Sequence, residues 1–245
     1  MYNYKMIISY DGGNHNGWQA QGNTKNTIQN VLENSIEVVL GEKVETFASG
    51  RTDKGVHAIG QVVNFKIGKK FVIKDFLTNI NKELPTSIAV LEVSEAEERF
   101  HSRLNVKQKT YVYKVLNNKI HDPLRRNLCL FVDEPLDIEL MKRAMTLFVG
   151  KHDFIGFSSM KKTKKSTERT MFEASIEEIN DEIHFTFTSD GFLYNQIRIM
   201  MGCVLAIGQK KMQLNNIETV LLAKDRQLAG ITVAPMGLYL KEVQY

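Results

Sequence analysis

The sequence predicts an α+β protein built mostly on antiparallel sheet, and three observations point there. Runs rich in β-branched and aromatic residues, such as 4–10, 61–65 and 88–93, come in groups instead of alternating strictly with helices. Two further runs, 171–179 and 183–189, flank Asn180-Asp181, a hairpin signature. The parts of the first half recur in the second. The expected architecture is therefore two similar halves, 1–105 and 106–245, each a mostly antiparallel sheet flanked by helices, meeting at a cleft.

Residues 4–10 read as a strand that enters a loop at Asp11-Gly12-Gly13. From 27 to 40 the apolar residues Ile28, Val31, Leu32, Ile36, Val39 and Leu40 recur at helical spacing, with Thr27 placed to cap and Gly41 to stop. Val44 to Phe47 is a short strand, followed by a polar turn from Ser49 to His57 and a strand at 61–65. A helix over 75–83 is halted by Pro85, and Ile88 to Val93 is another strand. In the second half Tyr111 to Val115 is strand-like. Residues 137–149 form a helix with Ile138, Met141, Ala144, Met145 and Phe148 on one face. After the 171–189 hairpin, an apolar helix runs over 194–208 to Gly208, a further helix begins at Ile217, and Leu238 to Val243 closes as a strand.

With 245 residues, 43% hydrophobic and 24% charged, the chain can bury a substantial core without cross-links. Its two cysteines, Cys129 and Cys203, are far apart and read as buried free thiols in a reducing compartment. The N-terminal apolar run is too short and interrupted for a signal peptide or membrane span, so the expected location is the cytoplasm. The six histidines are scattered and no metal motif or nucleotide-binding glycine loop is present, so no metal or other cofactor is expected. Net charge is +4, and Lys161, Lys162, Lys164 and Lys165 form a concentrated basic stretch with Arg169 close behind. Such clusters neutralise phosphates and suit a polyanion, although each alone is equally consistent with a solvated loop.

The densest chemistry lies in Ser49-Gly50-Arg51-Thr52-Asp53-Lys54-Gly55-Val56-His57-Ala58. An Arg, an Asp, a Lys and a His share one turn, with glycines that permit a tight path or close approach of a ligand. By spacing alone the carboxylate is a nucleophile, a general base, or half of an ion pair with Arg51.

This segment resembles the signature of the tRNA pseudouridine synthase A family. Similar blocks run along the chain: Tyr10-Asp11-Gly12, Gly17-Trp18-Gln19, Phe100-His101-Ser102-Arg103, Lys109-x-Tyr111-x-Tyr113, Gly150-x-His152-Asp153-Phe154, Gly191 to Gly202, and Ala234-Pro235-x-Gly237-Leu238-Tyr239-Leu240. One departure stands out: His15-Asn16 occupies a place where the family usually has an aromatic before Gly-Trp-Gln.

The resemblance implies the pseudouridine synthase fold and isomerisation of uridine to pseudouridine without a cofactor. It makes Asp53 the nucleophile and Arg51 the residue that fills the space left by the flipped base. Tyr111 becomes the stacking and proton-transfer residue, and Leu238 and Leu240 the apolar floor under the uracil. Arg198, set in the apolar helix, needs a carboxylate partner, for which Asp53 is the expectation. His57 is a candidate for orienting the turn. Lys161, Lys162, Lys164, Lys165 and Arg169 would hold the anticodon stem-loop of a tRNA, in which the family modifies uridines 38, 39 and 40. A homodimer is implied as well. The rivals are a related synthase with another or narrower RNA target, a tRNA-binding module without catalysis, and a carboxylate hydrolase needing a second carboxylate such as Asp11 or Asp190.

Overall fold

The first strand, β1 (Tyr2–Tyr10), shows how the architecture starts from a period of two. Tyr4, Met6, Ile8 and Tyr10 are buried while Lys5, Ile7 and Ser9 are half-exposed. The computed structural model describes residues 1–161 and 166–245. These divide into two units, Met1–Lys107 with Tyr239–Tyr245, and Gln108–Leu238.

In the first unit β1 lies between β3 (His57–Ile67) and β4 (Ile88–Ala96), antiparallel to both, with Met6 opposite Val63 and Val93. The short β2 (Thr46–Ala48) joins the outer side of β3. The last strand, β10 (Leu238–Gln244), runs parallel to β3, pairing Tyr239 with His57 and Leu240 with Ala58. Gly60 allows this approach, since a Cβ there would stand 2.7 Å from the Lys241 carbonyl oxygen. The helix α1 (Ile28–Leu40) forms as its spacing predicts: Ile28, Leu32, Ile36 and Leu40 are buried. Each contributes roughly 1.5–3 kcal/mol by leaving water. Thr27 Oγ1 accepts the Asn30 N–H at 3.2 Å, and Gly41 ends the helix at φ 70°. The helix α2 (Ile73–Glu83) buries Phe76 and Ile80, and Phe76 joins a ring cluster with Tyr4, Phe65 and Phe71.

In the second unit β5 (Gln108–Asn117), β9 (Glu182–Ser189), β8 (Glu168–Ile179) and β7 (Gly150–Asp153) follow one another as antiparallel neighbours. The predicted hairpin joins β8 to β9, with Asn180 in the left-handed region at φ 57°. The short β6 (Leu130–Val132), parallel to β5, and β7 were not expected from sequence, because three or four residues carry too little periodicity. The helix α3 (Ile138–Thr146) stops three residues before its predicted end, yet Phe148 beyond it is fully buried as the spacing implied. The helix α4 (Gln196–Gly208) is apolar nearly all round and accordingly buried on most sides. The helix α5 (Asn216–Ala223) follows it. Cys129 and Cys203 are free and buried, as read from the sequence.

The α+β class and the grouping of antiparallel strands follow the sequence reading. Residues 239–245 pack with the first unit because β10 extends along β3.

Candidate active site

The turn carrying Asp53 leaves β2 and returns into β3, and its neighbours hold it from several directions. At its entrance the Ser49 N–H donates to the Val62 carbonyl at 2.8 Å, and the Ser49 hydroxyl donates to Gln61 Oε1 at 2.6 Å. The Gln61 amide in turn donates to the Gly50 carbonyl at 2.8 Å. Thr52 is buried, its hydroxyl 2.8 Å from the Tyr10 hydroxyl, and its carbonyl accepts the Trp18 N–H at 3.0 Å. The Val56 N–H closes the turn on the Asp53 carbonyl at 3.1 Å. Asp53 itself is half-buried, while Arg51 and Lys54 are exposed.

Two glycines let the 10–18 loop press against this turn. Gly17 sits at φ +81°, and a Cβ there would come within 3.0–3.2 Å of Thr52, Asp53 and Lys54 backbone atoms. A Cβ on Gly12 would overlap the Val56 carbonyl oxygen at 2.0 Å. Beside it, the buried His57 ring stacks on Tyr239 with centroids 4.6 Å apart. His57 Nδ1 lies 3.2 Å from the Gly12 nitrogen and 3.1 Å from Asp11 Oδ1. Leu240, predicted as apolar floor, is fully buried in register with Ala58. Burial pushes the Tyr10 hydroxyl up to about 12, so it stays protonated and available to Thr52.

The His15-Asn16 departure belongs to the same loop. His15 is buried, with Nε2 2.9 Å from the Ser87 hydroxyl, and burial holds its pKa below the usual value. The Asn16 N–H donates to the Asn26 carbonyl at 2.9 Å and its side-chain amide to Thr24 Oγ1 at 3.1 Å. A polar pair thus pins this loop.

In the second unit Tyr111 stands on β5 opposite Phe187, is buried, and meets the Phe192 ring edge-on at 5.1 Å. Arg198, in the first turn of α4, is half-buried. Its Nε donates to the Val233 carbonyl at 2.8 Å and Nη1 to Asn195 Oδ1 at 3.0 Å. The Tyr113 hydroxyl donates to the Ala234 carbonyl at 2.6 Å, and burial lifts its pKa well above the ordinary range. These bonds fix the 233–238 segment that ends at the buried Leu238. Arg169 directs Nη1 to the Ser166 and Glu168 carbonyls, at 3.1 and 2.6 Å. Lys161 is exposed, whereas Lys162, Lys164 and Lys165 lie outside the described residues.

Sequence reasoning assigned no part to Tyr10, Thr52 or Gln61. Their signal is the buried polar pairing itself, which only the folded chain displays. Among the described residues no three His, Cys, Asp or Glu side chains gather as a metal site, and no helix is long and apolar enough to cross a membrane. The first unit thus holds the Asp53 carboxylate on a turn whose backbone is fixed on both flanks, with the Asp11 carboxylate on the neighbouring loop.

A family model described as tRNA pseudouridine synthase matches residues 6–105 and 144–245. The chain is 42% identical over 245 residues to tRNA pseudouridine synthase A of Bacillus sp. (strain KSM-64), covering all of both chains. Against the enzyme of the same name from Thermoanaerobacter sp. (strain X514) it is 40% identical, again across the whole of both. Against tRNA pseudouridine synthase A 2 of Bacillus cereus (strain ZK / E33L) it is 36% identical over the same extent.

Proposed function

The chain belongs to the tRNA pseudouridine synthase A family, and from that premise we propose that it acts on the anticodon stem-loop, at uridines 38, 39 and 40, with Asp53 as nucleophile. The reaction class follows from membership: the protein is an isomerase that converts uridine in tRNA to pseudouridine. The observation that carries the assignment to Asp53 is the turn itself. Its backbone at 52, 53 and 56 is tied down, and Asp53 is half-buried at its centre.

The isomerisation breaks the N1–C1′ bond, turns the uracil, and rejoins it through C5, whose hydrogen leaves as a proton. A carboxylate can serve by attacking C1′, by adding to C6, or by taking the 2′ proton of a glycal intermediate. In each route the target nucleotide first leaves its stack. Arg51, exposed beside Asp53, takes the vacated space. Tyr111 stacks on the extruded base and handles the later proton transfer, and its confinement against Phe192 supports a fixed platform. Leu238 and Leu240 floor the uracil, and Arg198 pairs with the Asp53 carboxylate.

The RNA backbone is held by Lys161, Lys162, Lys164, Lys165 and Arg169. A groove of about 610 Å³ in the first unit is lined by Lys5, Arg99 and Lys107 together with Glu95 and Glu97, so it adds little net positive charge. The protein works as a cytoplasmic homodimer.

Tritium release from unmodified tRNA carrying 5-tritiated uridine tests the reading, because forming the new C–C bond expels the C5 hydrogen. Wild type is expected to release tritium, and Asp53→Ala to release none while binding tRNA within several-fold of wild type. Turnover by Asp53→Ala, or loss of binding together with turnover, would reject Asp53 as the nucleophile.

A further inference from the structure

His57 is almost wholly buried, 1% exposed, at the point where three segments meet. Its ring is the first residue of β3, lies flat on Tyr239 of β10, and presents Nδ1 to the Gly12 N–H that follows β1. Two groups compete for that nitrogen. The Gly12 N–H at 3.2 Å needs an acceptor, whereas the Asp11 carboxylate at 3.1 Å would need a donor. One nitrogen cannot serve both.

The surroundings decide between them. Asp11 Oδ1 already accepts the Gly13 N–H at 2.8 Å, and the side chain is 45% exposed, so water can complete its shell. The Gly12 N–H is buried, and protonating Nδ1 would leave it facing another N–H with no acceptor, whereas Nε2 is buried in either form, so moving the proton there only exchanges a buried lone pair for a buried N–H. We infer that His57 is a positioning residue for the isomerisation, acting as a neutral imidazole protonated on Nε2 whose Nδ1 lone pair anchors Gly12 against the Asp53 turn.

The anchor reaches Asp53 by a short path. Gly12 packs on the Val56 carbonyl so closely that no Cβ fits, and the Val56 N–H closes on the Asp53 carbonyl at 3.1 Å. Releasing Gly12 loosens the C-terminal side of the turn. The Thr52 contacts with Tyr10 and Trp18 still hold the other side. Catalysis should therefore fall more than tRNA affinity, since displacement of a reacting group by an ångström can cost about 100-fold. This role rests on the reading of Asp53 as nucleophile.

Two measurements test it. Long-range proton–nitrogen correlation of the wild-type protein labelled with ¹⁵N-histidine should show the His57 ring protonated at Nε2 and bare at Nδ1; a ring protonated at Nδ1 overturns the inference. In single-turnover tritium release, His57→Phe keeps the stacked ring without the acceptor, and should lose about 100-fold in rate with tRNA affinity nearly unchanged. His57→Asn, whose Oδ1 can accept the Gly12 N–H, should recover most of that loss. A Phe variant as fast as wild type, or an Asn variant as slow as Phe, sinks the role. Asp53→Ala measured alongside separates the two readings: its turnover would reject Asp53 as nucleophile, while the ring's protonation state reports on His57 independently of activity.

Discussion

At the scale of single residues, the candidate site depends on polar groups that are buried and paired. Tyr10 shows the consequence for pH. Its folded-state pKa of about 12 stands above the ordinary 10.0, so the folded chain favours the protonated phenol. That contribution is complete below pH 10 and is lost as pH rises from 10 through 12, a swing of about 3 kcal/mol. Melting temperature followed across this range should fall in wild type and fall less in Tyr10→Phe. Tyr10→Phe should start lower at neutral pH, because it leaves the buried Thr52 hydroxyl short of a partner. Tyr111 gives the second residue-scale prediction. Tyr111→Phe preserves the edge contact with Phe192 and the stacking surface, so it should bind tRNA normally and lose rate by about 10² or more if the hydroxyl transfers a proton. A fully active Phe variant would confine Tyr111 to stacking.

At the scale of elements, glycine decides how closely the 10–18 loop approaches the turn at 49–57. Gly12→Ala places a methyl group 2.0 Å from the Val56 carbonyl oxygen, which backbone can relieve only by moving. The expected result is a destabilisation of about 1–3 kcal/mol by chemical denaturation, with activity lost beyond what that explains at assay temperature. Gly13→Ala is the control: the nearest contact of its Cβ would be 3.0 Å, with a partly exposed Asp11 side chain that can swing aside. Equal effects at both positions would show that the loop does not brace the turn.

At the scale of the whole molecule, charge governs the encounter with RNA. The net charge of +4 is modest, so binding depends on where the cations cluster. Replacing Lys161, Lys162, Lys164 and Lys165 together by Gln should weaken tRNA binding and flatten the dependence of log affinity on log salt by about one unit per lost phosphate contact. Binding titrations between low and moderate salt measure this, and an unchanged slope would place the RNA on other cations.

Local patterns were enough for the α+β class, the helices α1 and α4, the β8–β9 hairpin and the free thiols, because each rests on periodicity, composition or turn chemistry within a few residues. Thr27 and Gly41 bounded α1 for that reason, and the block around Asp53 was conspicuous as sequence. The strands β6 and β7 were not legible, and β2 was expected at 44–47 but forms at 46–48, because three or four residues carry almost no period; α3 ends early because residues 147–149 tighten into turns bonded three residues back. Only the tertiary structure brought Tyr10 to Thr52, 42 residues away, and Gln61 to Ser49. It also returned Tyr239 to His57 across the length of the chain. Buried polar pairs between distant segments leave no periodic trace, since their partners are chosen by where the backbone meets itself.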